Sequence, residues 1–342
     1  MSGKPNAARG AGKDSAGRRG APARYKGRRA RVAARTVSPP DPRRPMDAPT
    51  RTLLVSVQMC FAVFPIAGKV AMEAFAPPAV LVWRLGVGSA VLLGLASWLY
   101  GRGAWPPARE LLPIARLSLF GIAINQWLFL EGLSRSTAVN AGLLMTVIPV
   151  ATTAFAAALG HETLGARRAA GIALSVTGVA ILFGTRGARL GGGTALGDGL
   201  LVLNTLSYSL YLVLAKPVLR RTPHLVVVAW MFVASALVMP WFFTHLDWAP
   251  AHAGGRQWWG LAGVLVFPTV LAYVGNTVVL SRTRASTTAT YVMLQPVITS
   301  VLGVVLLGEA FGPWLLVVAT CVLGGLWLVS ARRPRARAPA TR

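Results

Sequence analysis

Ser134-Arg135, Pro149-Val150, Thr152, Glu162 and Gly165 recur as Ser281-Arg282, Pro296-Val297, Thr299, Glu309 and Gly312. Every pair is 147 residues apart, the step from 134 to 281. The same step joins Lys69 to Lys216 and Trp83 to Trp230, so one spacing holds across most of the chain. A repeat of this length means two copies of one structural unit, and the fold follows from what a single unit contains.

Each unit contains five apolar segments. They lie at about 52–71, 78–99, 111–133, 137–159 and 168–185, then at 197–216, 224–245, 258–280, 285–307 and 313–330. Their length is close to the roughly 20 residues that cross the hydrocarbon core of a bilayer. Continuous apolar runs of this kind predict helices, because a membrane barrel would alternate over strands of about ten residues. Turns rich in breakers separate them, such as Gly101-Arg102-Gly103 and Gly191-Gly192-Gly193. An odd number of crossings per unit forces the second copy to insert upside down relative to the first. The expected fold is an all-α integral membrane protein with ten transmembrane helices in two inverted five-helix repeats. The repeats occupy 51–186 and 197–331, and basic tails at 1–50 and 332–342 flank them.

Composition agrees. Of 342 residues, 54% are hydrophobic and 13% charged, where a soluble domain carries about a quarter charged residues. The net charge of +25 sits mainly in the flanks: fourteen Lys/Arg and three Asp lie in residues 1–51, and five Arg follow from Arg332. That placement suits anionic lipid headgroups rather than nucleic acid. The N-terminal tail is rich in Gly, Ala, Pro and Ser and has no apolar centre for a signal peptide, so disorder is expected there. Met46, just before the first apolar segment, is an alternative start. With the N-terminus placed in the cytoplasm, short inner loops hold eight Arg against four in outer loops. The positive-inside bias then predicts an inner-membrane protein with both termini cytoplasmic.

Several chemistries are missing. No Gly-rich phosphate loop ends in Lys-Ser or Lys-Thr, so no ATPase is expected. Cys60 and Cys321 lie in apolar runs, and His161, His224, His245 and His252 fall at loops or helix ends, so neither a metal nor a cofactor is expected.

The stretch Gly132-Leu133-Ser134-Arg135-Ser136-Thr137-Ala138, then Pro149-Val150, Gly160-His161-Glu162-Thr163-Leu164, Gly171 and Gly178, resembles the EamA-type repeat of the drug/metabolite transporter superfamily. Pro296-Val297, Gly308-Glu309 and Gly324-Gly325 repeat it, and the resemblance covers about 52–330. It implies export of metabolites or drugs without ATP hydrolysis, by a protein that is not an enzyme. It implies no particular substrate. Arg84, after Pro77-Pro78, also looks like the family's pattern, but its counterpart is Met231. Glu131 stands where the family more usually has an aromatic or small residue.

Ionisable groups within membrane helices are expensive and therefore functional candidates. Glu131 is the candidate for proton coupling, with Lys69 and Lys216 as candidates for coupling or gating. Lys69, Arg84 and Glu131 are expected near one level, where they could form a charge cluster. Arg84 has two readings, a partner for a substrate carboxylate or a structural ion pair to Glu131. Lys69 and Lys216 also fit simple snorkelling. Polar and aromatic residues at helical spacing give the candidate substrate-binding faces: Phe61 and Phe64; Trp127 beside Glu131; Asn204, Tyr208 and Tyr211; Tyr273 and Asn276; Tyr291 and Gln295. Phe61 and Phe64 are one repeat from Tyr208 and Tyr211. Glu162 and Glu309 suit caps for the helices that follow them. Gly86, Gly88 and Gly94 suit close packing, as in a homodimer.

The expected function is secondary transport of a small amino-acid-like, polar or amphipathic compound, driven by a proton or another gradient. Its partners would be that small molecule and membrane lipids. The readings left beside it are a non-transporting receptor or scaffold and a lipid-handling membrane enzyme.

Overall fold

The computed structural model describes residues 47–161, 165–184, 193–242, 247–282, 291–292, 294–310 and 312–330. The expectations for the tails and Glu162 lie outside the described residues. No strand occurs among the described residues.

The helices are α1 (Ala48–Ala71), α2 (Pro77–Tyr100), α3 (Ala108–Arg135), α4 (Ala138–Ala158), α5 (Ala166–Gly184), α6 (Gly193–Leu214), α7 (His224–Phe242), α8 (255–282), α9 (Leu294–Leu307) and α10 (Pro313–Ser330). Seven of them, α1 to α4 and α6 to α8, are long and apolar enough to cross a bilayer, while α9 and α10 provide shorter apolar helices. Among the described residues, then, full-length crossings number seven rather than the expected ten.

Local sequence explains where helices begin and end. Proline stands in the first turn of α1 and of α2, where an N–H has no intrahelical partner to lose. The Thr137 hydroxyl accepts the N–H of Asn140 at the start of α4. Gly101, at φ 55°, ends α2 in a conformation that a Cβ would strain. α4 breaks between Met145 and Ile148, just before Pro149, whose missing N–H cannot continue the ladder. π-helical stretches occur at Leu119–Ala123 in α3 and Leu265–Leu271 in α8, at repeat-related depths.

The outward faces are apolar. Trp241 and Trp259 are 81% and 79% exposed, and Leu237, Val305 and Trp327 are also exposed. Such a surface would be anomalous in water but is the ordinary outside of a bundle in lipid. Trp98, Trp241, Trp259 and Trp327 are exposed near helix ends, where tryptophans of membrane proteins are enriched.

Packing follows the repeat. α1 packs on α8, α3 on α6, α2 on α7, α4 on α9 and α5 on α10. Advancing every helix by one repeat exchanges the first two pairs and returns the other three to themselves. Two tryptophans show the same exchange. Trp83 Nε1 donates to the Trp248 carbonyl at 2.9 Å, and Trp230 Nε1 donates to the Ala104 carbonyl at 2.7 Å. Each holds a loop of the opposite half. Of the glycines on α2, Gly88 is used within the chain, since a Cβ there would lie 2.5 Å from Phe232. Gly86 and Gly94 face open space.

Candidate functional site

A cavity of about 610 Å³ lies between the halves, within the range of small-molecule sites. Among the candidate residues, Phe61, Phe64, Arg84, Asn204, Tyr208, Tyr211, Tyr273, Asn276 and Gln295 line it. They come from α1, α2, α6, α8 and α9, with the middle of α3, the break in α4 and the first half of α7 completing the wall. In an apolar solvent, amides and phenols on a helix favour the inward face, and here those inward faces meet.

Arg84 is the charged centre of the wall and only 3% exposed. Its Nε donates to Thr269 Oγ1 at 2.9 Å, and its guanidinium carbon lies 4.0 Å above the Phe64 ring. Phe64 in turn stacks on Phe129 with centroids 4.7 Å apart. Thr269 belongs to the π-helical stretch of α8 and donates to the Val264 carbonyl at 2.9 Å. The irregular backbone therefore supplies the hydroxyl that orients the arginine. A buried charge costs several kcal/mol unless it is compensated, and this one has a hydrogen bond and a ring face but no ion pair among the described residues.

Two amide pairs tie helices of the wall together, while Gln126 Oε1 and Thr152 Oγ1 line the cavity without a hydrogen-bond partner among the described residues. Asn204 Nδ2 donates to the Asn125 carbonyl at 2.7 Å, and Asn125 Nδ2 returns a bond to the Asn204 carbonyl at 3.1 Å. Gln295 Nε2 donates to Gln58 Oε1 at 2.7 Å, joining α9 to α1. Tyr208 and Tyr211 are neighbouring rings, 5.5 Å apart. Gly121, in the π-helical turn of α3, lets Tyr211 and Met231 approach, because a Cβ there would lie 2.7 Å and 2.6 Å from them. The Ser207 hydroxyl donates to the Phe120 carbonyl in the same turn.

Five candidates sit elsewhere. Trp127 is 37% exposed and does not line the cavity; it lies two residues, about 200° of helix, beyond Asn125, which does. Tyr291 packs against the apolar group of Leu54, Val57 and Val279. Glu131 pairs with Arg135, one turn along its own helix, and not with Arg84. The Lys69 ammonium donates to the Ser136 carbonyl. Lys216 is exposed. The expected cluster of Lys69, Arg84 and Glu131 is therefore absent, because each has a nearer partner.

The cavity stops short of the end that holds Ser136, where side chains from both halves meet. There Asp198, fully buried, accepts from the Ser136 hydroxyl and from Asn140 Nδ2. Glu309 accepts the N–H groups of Ala138 and Val139 at 2.7 and 2.9 Å, so it caps α4 in the other half rather than the helix after it. Glu73 binds Arg256 and Gln257 between α1 and α8 at the same end. In the other direction the cavity reaches His224 and Val292, and that end is held by Glu110 with Arg221. His224, taken from sequence as a helix-end residue, is thus a lining residue.

Sequence reasoning passed over Gln58, Asn125, Gln126, Thr152 and Thr269. All five are polar residues inside apolar segments, a signal that was present but weaker than that of the charges. Asp198 was passed over because it lies one residue inside the expected start of its segment.

An apolar helical bundle enclosing a cavity lined by aromatic, apolar and a few polar side chains from both halves has the build of a membrane transporter. The chain belongs to the EamA-like transporter family, whose model matches residues 51–184 and again 195–331. It is similar to an uncharacterized transporter of Archaeoglobus fulgidus, 23% identical over 84% of this chain and 99% of that one. It is also similar to the uncharacterized transporter YyaM of Bacillus subtilis, 24% identical over 70% of this chain and 80% of that one. One solved crystal structure superposes with a TM-score of 0.56 at 19% identity, covering 83% of this chain and 97% of that one.

Proposed function

We propose that this protein is a secondary transporter that exports a small amphipathic metabolite by alternating access between two inverted five-helix repeats, 51–186 and 197–331. In this reading the chain crosses the inner membrane ten times with both termini in the cytoplasm. The observation that carries it is the cavity: both halves line it, and side chains from both halves meet beyond it at the Ser136 end.

Phe61, Phe64, Arg84, Asn204, Tyr208, Tyr211, Tyr273, Asn276 and Gln295 bind the substrate. Lys69, Ser136, Asn140, Asp198 and Glu309 form the outer gate, which must separate for release. A Ser136 end where both halves meet and a cavity that reaches His224 are the features of a state loaded from the cytoplasm. The break in α4 beside Pro149 gives that wall a place to bend.

Counterflow in proteoliposomes tests this reading. Purified protein is screened for compounds that raise its unfolding temperature, and vesicles are then loaded with each hit. Saturable uptake of labelled compound, driven by unlabelled compound inside, is expected. A compound that binds the cavity yet never crosses would defeat the transport reading.

A further inference from the structure

The cavity's charge is one-sided. Arg84 keeps its proton at any physiological pH. Its Nε is engaged by Thr269 and one face is covered by Phe64. Its terminal nitrogens make no hydrogen bond to a described residue, although the side chain is buried and lines the cavity. No Asp or Glu among the described residues lines that cavity. Asp198, Glu131 and Glu309 are engaged at the Ser136 end with Ser136, Arg135 and Ala138. The repeat partner of Arg84, Met231, lines the same cavity and brings no charge.

We infer that the bound substrate supplies the missing negative charge: the site takes an organic monoanion whose carboxylate faces the Arg84 guanidinium and whose apolar body lies among the tyrosines. This rests on the transport reading above and names the class of its substrate. Two terminal guanidinium nitrogens match the two oxygens of a carboxylate. Phe61, Tyr208, Tyr211, Met145 and Met231 surround the space beyond with rings and methyl groups that suit an aromatic or branched apolar body. A cationic compound would meet the same buried charge as repulsion, with no carboxylate in the lining to offset it. Thr269 and Phe64 are positioning residues, since they fix the plane in which the guanidinium is presented.

The test uses matched probes of one shape: phenylacetate, phenylacetamide and phenethylamine, with a panel of other aryl and alkyl carboxylates. Each is added to the detergent-purified full chain, and the unfolding temperature is followed. The carboxylates are expected to stabilise the wild type, while the amide and amine do not. Arg84→Gln should weaken carboxylate binding by about tenfold or more, the worth of a charge-assisted hydrogen bond, and Arg84→Lys should restore part of it. The wild-type comparison stands even where Arg84→Gln fails to fold. Equal stabilisation by the amine or the amide, no response to any carboxylate, or a carboxylate response undiminished in Arg84→Gln overturns the inference. Counterflow with the same probes separates the two readings: amine flux without carboxylate flux keeps transport and sinks the anion site, whereas carboxylate binding without flux does the reverse.

Discussion

The carboxylate of Glu309 lies against the backbone N–H groups of Ala138 and Val139, 2.7 and 2.9 Å away. Residues 171 apart in sequence are joined as an acid and the helix it caps. The bond crosses from one repeat to the other, so the cap of α4 is also a latch between halves.

Removing that carboxylate tests the latch. Glu309→Ala strips the acceptor from two N–H groups and should cost about 1 kcal/mol, the usual worth of a helix cap. Glu309→Gln, which keeps one carbonyl oxygen, should lose less. Denaturant or thermal unfolding in detergent reads the difference. Equal stability of Glu309→Ala and wild type would show that the cap adds nothing.

The same end can be locked. An ideal Cβ on Gly303 lies 3.6 Å from Ala138 Cβ, within the span a disulfide bridges. With Cys60 and Cys321 replaced by Ser, Ala138→Cys with Gly303→Cys should cross-link on oxidation. Flux should stop in the oxidised protein and return on reduction. Full flux in cross-linked protein would mean that this end never opens in the cycle.

Cavity volume can be altered at one position. In Gly121→Ala the new Cβ would press on Tyr211 and Met231 at 2.7 and 2.6 Å. Overpacking of this kind costs on the order of 1–3 kcal/mol, and it falls on two lining side chains. We expect reduced uptake from a correctly assembled protein. Gly86→Ala, with nothing within 4 Å, is the matched control. Uptake equal in the two variants would separate Gly121 from the transport site.

The α5–α10 contact is less forgiving. A Cβ on Gly325 would lie 2.4 Å from the Gly171 carbonyl oxygen, a backbone atom that cannot rotate away. Gly324→Ala would meet only a Leu174 methyl at 3.4 Å. Gly325→Ala should therefore lower the unfolding temperature clearly and Gly324→Ala hardly at all. Paired melting curves decide it.

How much of this was legible beforehand depends on the type of evidence each residue carries. Tyr208 and Tyr211, on the same helical face as Asn204, announce an inward stripe because lipid penalises them anywhere else. The tryptophans at 83 and 230 announce a repeat because both identity and spacing are kept. Glu131 and Arg84 mislead when read together, since a charge one turn away on the same helix, Arg135, reaches Glu131 first.

By itself, then, the sequence determined an apolar helical membrane protein, its two-copy plan and the inward faces of α1, α6 and α8. Those follow from hydropathy and periodicity, which are local to a segment. Tertiary structure alone decided that Thr269 orients Arg84, that Glu309 caps the opposite half, and that Asp198 sits with Ser136 and Asn140. Each of these is a contact between helices far apart in sequence. A helix's period states which face turns inward, but only packing, shifted here by π-helical turns in α3 and α8, sets which residues of two such faces meet.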